Sequence, residues 1–266
     1  MTPSSVRISN DRHSTRRGII ITGGSKGLGY AVAKRLARQR DALALCGRDT
    51  GRLRSAAAEL RHESCAEVHT EALDVVDGDL EGFIERAANA LGRVDGLVLC
   101  AGGASGGGLA ESTSRDWQRT YELNVGHPAR ALRTCLPHLS ASRGSALLIS
   151  SISGWKPAPP AQYAAAKAAQ LSLAASWARE LGPQGVRVNA LSPGSMCIPG
   201  GTWDRLRLND PAAYETFQRE FPGKELPGPD EIADVACFLL SEEAAAISGT
   251  NIPADRAQNA PTAFGY

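Results

Sequence analysis

Short apolar runs recur along the chain with amphipathic stretches between them. Gly18-Ile-Ile-Ile-Thr22 predicts a buried strand, and Leu28 to Gln39 an amphipathic helix. Ala42 to Cys46 and Thr50 to Arg61 repeat the pair, as do Val68 to Val75 and Leu80 to Leu91. Gly96 to Cys100 predicts a fourth strand, followed by a glycine loop, Gly102 to Gly108, and one long helix from Ser114 to Leu139. Ser145 to Ser150 and Val186 to Ala190 predict strands flanking a helix from Ala161 to Leu181. A last helix runs from Pro229 to Leu240, with a closing edge strand at Gly249 to Pro253. Most of these strands lack polar alternation and alternate with helices, which predicts a parallel sheet buried on both faces. The expected fold is therefore a doubly wound α/β sheet of about seven strands in a single domain, 18–255. Residues 1–17 and 256–266 are expected to be tails. The Pro- and Gly-rich zone 193–229 follows a strand's carboxyl end, where a substrate lid belongs.

Composition narrows the partners. Twenty-nine Lys and Arg against 28 acids leave a formal net charge of +1 in 266 residues. That balance makes no long-range field for nucleic acid or an anionic membrane. No stretch approaches the ~20 apolar residues of a membrane helix, and the polar start lacks a secretory core. The six cysteines show no zinc or CxxC spacing, so no metal is expected and a reduced, cytoplasmic chain is.

The chemistry concentrates in three places. Thr22 to Gly29 reads TGGSKGLG between the first strand and the first helix. Its glycines let a backbone approach closely, and the helix N-terminus that follows suits a pyrophosphate. The same stretch contains G-x-S-x-G around Ser25, and a second copy surrounds Ser105. A serine hydrolase therefore competes, with a nominal order of Ser25, Asp74 and His127. His127 lies within a helical pattern rather than on a late loop, which weighs against it. Tyr163 and Lys167 stand four apart on the Ala161 to Leu181 helix and share a face. An ammonium beside a phenol favours the phenolate, and a shift of ~3 units asks for roughly 4 kcal/mol. Ser151 lies 12 residues before Tyr163, at the end of the fifth strand, where a hydroxyl can donate to a substrate oxygen. Asn124 interrupts an apolar helical stretch and reads as a hydrogen-bonding device or a surface accident.

In this order and spacing, the motifs resemble the short-chain dehydrogenase/reductase family from Gly18 to about Asp255, and its branch of 3-oxoacyl-carrier-protein reductases in particular. The matching elements are TGGSKGLG, Asp74, Cys100 to Gly103 (CAGG), Asn124, Ser151, Tyr163 to Lys167 (YAAAK) and Asn189 to Gly194 (NALSPG). The resemblance implies a catalytic tetrad. Tyr163 would be the acid/base, Ser151 would polarise the carbonyl, and Lys167 would bind the nicotinamide ribose and lower the Tyr163 pKa. Asn124 would fix a water relaying protons through Lys167. A non-catalytic sensor on this scaffold would lack part of the tetrad, which is complete here. The resemblance also implies cofactor contacts from Gly23, Ser25, Lys26, Gly27, Leu28 and Gly29, then from Asp74 and Val75. Cys100, Ala101, Gly102, Pro193 and Gly194 complete that set with Tyr163 and Lys167.

The cofactor itself is read from the second strand, which ends Cys46-Gly47-Arg48-Asp49. An NAD enzyme of this fold places an acid there for the ribose hydroxyls. Glycine stands at that place, and Arg48 with Lys26 would hold a 2′-phosphate, so NADP(H) is expected over NAD(H). Asp49 is the counter-argument, since it could turn to the ribose. Three departures from the family pattern carry expectations of their own. Cys100 replaces an asparagine that ties the central loops, which should loosen them. Ser195-Met-Cys-Ile-Pro199 lacks a threonine that touches the pyrophosphate, and Ala254-Asp255-Arg256-Ala257 precedes a tail that would reach a neighbouring subunit. Assembly as a homodimer or homotetramer through the two long helices is expected. The expected partner is a small-molecule carbonyl or alcohol substrate, and the glycine loop Gly102 to Gly108 with the Trp203 region suggests room for more than a simple alcohol.

Overall fold

A computed structural model describes residues 16–64 and 66–260. Strands β1 (Gly18–Thr22), β2 (Ala42–Gly47), β3 (Val68–Ala72) and β4 (Gly96–Leu99) alternate with helices α1 (Gly27–Arg38), α2 (Thr50–Ser64) and α3 (Leu80–Leu91). Helix α4 (Ser114–Tyr121) runs through a π-helical turn, Glu122–Gly126, into α5 (His127–Ser142). Then follow β5 (Ser145–Ile149), α6 (Ala161–Leu181), β6 (Arg187–Pro193), α7 (Thr202–Asn209), α8 (Pro211–Gln218), α9 (Pro229–Leu240) and β7 (Asn251–Ala254).

All neighbouring strands pair in parallel, in the order β3-β2-β1-β4-β5-β6-β7. The strand alternation sorts β1 between two cores. Ile19 and Ile21 pack with the α1, α2 and α9 layer, and Ile20 with the layer of α3, α5 and α6. The chain order reverses between β1 and β4, and in open α/β sheets the ligand crevice lies at that switch point, beyond the carboxyl ends of the strands.

Four boundaries differ from the sequence reading. The long helix expected from Ser114 to Leu139 is broken by the π turn, because Pro128 removes an N–H that Asn124 would need four residues on. Strand β3 stops at Ala72, and the Asp74 carboxylate then takes the Val76 N–H at 2.9 Å, turning the chain. The zone 193–229 is not irregular throughout, since it contains α7 and α8. Trp203 stacks on Phe217 at 3.6 Å, and Phe217 meets the buried Phe221 edge-on. At the two ends, the residues read as tails are partly tied down. Arg17 grips the buried Asp41 with two nitrogens, at 3.0 and 2.7 Å. Arg256 pairs with Glu225 and Glu231, and Gln258 is buried. Residues 1–15 and 261–266 of the tails, and Cys65, lie outside the described residues.

Candidate active site

The glycine loop leaves β1 at the switch point. Gly23 has a positive φ of 72°, and a Cβ on Gly29 would come within 2.4 Å of the Gly23 carbonyl oxygen. Only hydrogen fits, so the first turn of α1 packs directly on the loop. Lys26 begins α1 with extended backbone, no side-chain cap and no acid in the first turn. Helices α3, α4 and α8 begin instead on Asp79, Thr113 and Asp210, whose side chains take a first-turn N–H. No N-cap side chain therefore takes the first-turn N–H groups of α1, and the helix dipole there favours an anion. Leu28 is buried beneath it, and Ile198 of the zone 193–229 lies against Gly27.

At the outer end of the crevice, Arg48 and Lys26 are exposed, with no hydrogen-bond or ion-pair partner among the described residues. Asp49 makes no hydrogen bond or ion pair with either, although the Lys26 charge helps to lower its pKa. Its carboxylate accepts the Arg52 N–H at 3.0 Å and lies 3.4 Å from the Arg52 guanidinium, so its pKa is lowered, chiefly by that backbone bond. Ser25, Tyr30, Arg52 and Glu59 line a cleft of about 290 Å³ alongside. Asp74 is held by Arg119 at 3.2 Å, and Val75 is buried. The partners Arg52 and Arg119 are not apparent from local motifs.

The inner end gathers the tetrad. Ser151 caps a short turn by accepting the Ser153 N–H at 3.1 Å, which leaves its hydroxyl to meet the Tyr163 phenol. Lys167 is 3 % exposed and donates to the Ile149 carbonyl at 2.7 Å and to Gln170 Oε1 at 3.1 Å. A Cβ on Gly102 would meet Asn124 Oδ1 at 2.9 Å and Lys167 Nζ at 3.2 Å. Gly102 therefore leaves a shelf directly over the ammonium. Asn124 donates through Nδ2 to the Gly103 and Thr120 carbonyls, both at 2.7 Å. Of the sequence candidates, Cys100, Gly102, Asn124, Ser151, Tyr163 and Lys167 thus share one locus, next to the glycine loop.

The electrostatics differ in sign from the sequence argument. Burial raises the Tyr163 pKa above its ordinary value, against a lowering by the Ser151 hydrogen bond. The Lys167 ammonium lies over the Tyr163 ring, 5.4 Å from its centre. Burial also pushes the Lys167 ammonium down to about 8.

Around Cys100, Thr22 and His127 tie the central loops. His127 Nδ1 donates to the Leu123 carbonyl at 2.8 Å, which fixes the tautomer, so Nε2 accepts from the Thr22 hydroxyl at 3.0 Å. That hydroxyl in turn accepts the Cys100 and Ala101 N–H groups at 3.1 and 3.3 Å. The same network removes the hydrolase reading, since His127 is fully buried on Thr22 and Asp74 is bound to Arg119. Burial holds His127 neutral, at about 4. A depressed histidine stabilises the fold above its unfolded pKa and loses that contribution as pH falls through the folded one. Between pH 6.5 and about 4, His127 should therefore cost about 3 kcal/mol of stability. Urea unfolding across that range should show it, and a folded His127→Gln variant should show a shallower fall.

Two further glutamines were missed by sequence reasoning. Gln162, beside Tyr163, is fully buried and donates to the Ser105 and Gly107 carbonyls and the Ser112 hydroxyl, bracing the glycine loop 102–108. Gln170 contacts Lys167 from the next turn. Polar residues on a buried helix stripe look like surface positions in a sequence. Beyond β6, which ends at Pro193, Gly194 donates to the Ala254 carbonyl at 3.1 Å. Gln258 holds the Ser195 N–H at 2.8 Å and Glu220 at 3.0 Å.

Comparison with known proteins follows the same line. Residues 23–256 match the profile of the family described as enoyl-(acyl carrier protein) reductase. An isoepoxydon dehydrogenase of Penicillium expansum is 31% identical over 252 residues, covering 92% of this chain and 96% of that protein. The crystal structure of L-sorbose reductase from Gluconobacter frateurii, complexed with NADPH and L-sorbose, superposes with a TM-score of 0.84 at 27% identity, covering 93% of this chain and 98% of that one. A short-chain dehydrogenase from Burkholderia cenocepacia in complex with NADP gives 0.83 at 27% identity, covering 92% and 98%. With the fold, the crevice and the matched length in agreement, the chain belongs to the short-chain dehydrogenase/reductase family.

Proposed function

We propose that this protein reduces a ketone, or oxidises the matching secondary alcohol, with NADP(H) as cofactor and Tyr163 as acid/base. The observation that carries the proposal is the meeting of Ser151, Tyr163 and Lys167 beside the glycine loop. The residues present suit the cofactor. The shelf over Lys167 left by Gly102 takes a ribose edge, the uncapped α1 N-terminus takes the pyrophosphate, and the unpaired Arg48 and Lys26 take a 2′-phosphate. The names of the sorbose reductase and Burkholderia complexes support the same cofactor.

When bound, NADPH supplies the hydride. The Ser151 hydroxyl holds the substrate oxygen and polarises the carbonyl. Tyr163 gives its phenolic proton to that oxygen as negative charge grows on it, and the raised phenol pKa keeps the proton in place until then. Lys167 holds positive charge beside the resulting phenolate. In oxidation the same groups run in reverse.

Exposed Ala168, Ser172, Ala175 and Ser176 give α6 a small-residue outer face, which suits close pairing with a second copy. Among the described residues, no helix is long and apolar enough to cross a membrane. The five described cysteines are free, which supports a reducing, cytoplasmic setting. Fluorescence titration tests the cofactor assignment. NADPH should bind more tightly than NADH, and Arg48→Ala should weaken NADPH about tenfold while leaving NADH unchanged. Preference for NADH would overturn the assignment. A ketone panel read by NADPH absorbance tests the reaction.

A further inference from the structure

The carbonyl of Asn124 faces an unusual partner. Four residues on stands Pro128, without an N–H, so that carbonyl lacks its ordinary helical donor. Gln170 supplies one, donating through Nε2 at 2.7 Å, while its Oε1 accepts from Lys167 Nζ at 3.1 Å. Gln170 is fully buried. One carboxamide thus spans the gap between the ammonium and the Asn124 oxygen, the place where the family resemblance implies a proton-relaying water.

We propose that Gln170 is a positioning residue that replaces this water, clamping Lys167 toward the cofactor shelf and closing the inward proton path, so that Tyr163 regains its proton from bulk solvent at the cleft mouth. The inference rests on the Tyr163 reading above. In each reduction the Tyr163 O–H bond breaks, an O–H bond forms on the substrate oxygen, and the phenolate needs one proton back. A carboxamide can pass a proton only by gaining one at Oε1 and losing one at Nε2, which leaves a high-energy imidic acid. The Asn124 carbonyl beyond it has no proton to exchange. The brace is therefore geometric and electrostatic: with the Ile149 carbonyl it occupies two ammonium protons and leaves the third for the ribose side.

The titratable groups facing Lys167 are Tyr163, Cys100 and His127, and none is an anion in its ordinary state here. Removing Gln170's acceptor should lower the ammonium's pKa further, and a carboxylate there should raise it.

The test uses the whole protein with Gln170→Leu, Gln170→Glu and Gln170→Ala, each first checked for cooperative melting. NADPH affinity against pH, read by fluorescence, should show Gln170→Leu weakened about tenfold at pH 7 with its midpoint about one unit lower. Gln170→Glu should move the midpoint up by a similar amount. In turnover of a ketone reduced by the parent, the proton inventory in mixed H2O and D2O should be linear. Gln170→Ala, with room for water, should make it curved. A folded Gln170→Leu protein with the parent's midpoint and affinity, or a curved inventory in the parent, overturns the proposal. Tyr163→Phe separates the two readings. An active Tyr163→Phe enzyme sinks the reaction assignment, whereas an inactive one beside an indifferent Gln170→Leu sinks only the inference about Gln170.

Discussion

Turnover of the Tyr163→Phe variant should fall by about a thousandfold while NADPH still binds within a few-fold of the parent. The phenol is assigned the one proton that the substrate oxygen needs, and positioned proton transfer contributes ~10²–10⁴ in rate. Phenylalanine keeps the ring beneath the Lys167 ammonium and removes only the hydroxyl that meets Ser151. Ring packing, and with it the lysine's position, survives. The deficit should therefore appear in kcat rather than in cofactor affinity or melting temperature. Near-parent turnover on a ketone that the parent reduces would remove Tyr163 from its role. A variant that loses turnover and NADPH binding together would instead point to a collapsed site.

The second large effect lies in the glycine loop. A methyl group on Gly29 would sit 2.4 Å from the Gly23 carbonyl oxygen, a backbone atom with no rotamer to change. Gly29→Ala must push α1 away from the loop, displacing the N–H groups that the proposed function assigns to the pyrophosphate. A backbone clash of this kind costs about 2–4 kcal/mol, corresponding to a melting-temperature loss of roughly 5–15 °C in a chain of this size. NADPH affinity should drop by at least about tenfold. Calorimetry with and without NADPH reads both quantities. A variant melting with the parent and showing the parent's stabilisation by NADPH would mean that the helix and loop are not packed as described.

How much of this was legible in sequence follows from which forces shape each part. Strands such as Ile19-Ile20-Ile21 are buried on both faces, so their apolar runs announce them, and their alternation with helices announces a parallel sheet, though not its strand order. The spacing of Ser151, Tyr163 and Lys167 was legible because local geometry carries most of it. Their electrostatics were not, since burial depends on everything packed around them. The π turn was missed although Gly126 and Pro128 were visible, because the surrounding helical period continues through it. Gln162, Gln170 and the tying role of His127 escaped for one shared reason. Each is a polar side chain inside a buried helical stripe, and each has a partner 46 to 105 residues away in the chain. The ends of the domain escaped likewise, since Arg17 and Arg256 are fastened by distant acids.

The clasp on the segment that follows β6 bears on how the protein would adapt to new substrates under the proposed function. Gln258 fastens the first residue after Gly194 and also Glu220 at the far side of α8, while Arg256 holds Glu225 and Glu231. Moving that segment means unlatching these bonds as a set. If the segment covers the substrate, selectivity and the chemistry proposed for Tyr163 would fall to two parts of the chain, and the fastening would drift toward bulkier or smaller guests while Tyr163, held on a different helix, stays as it is.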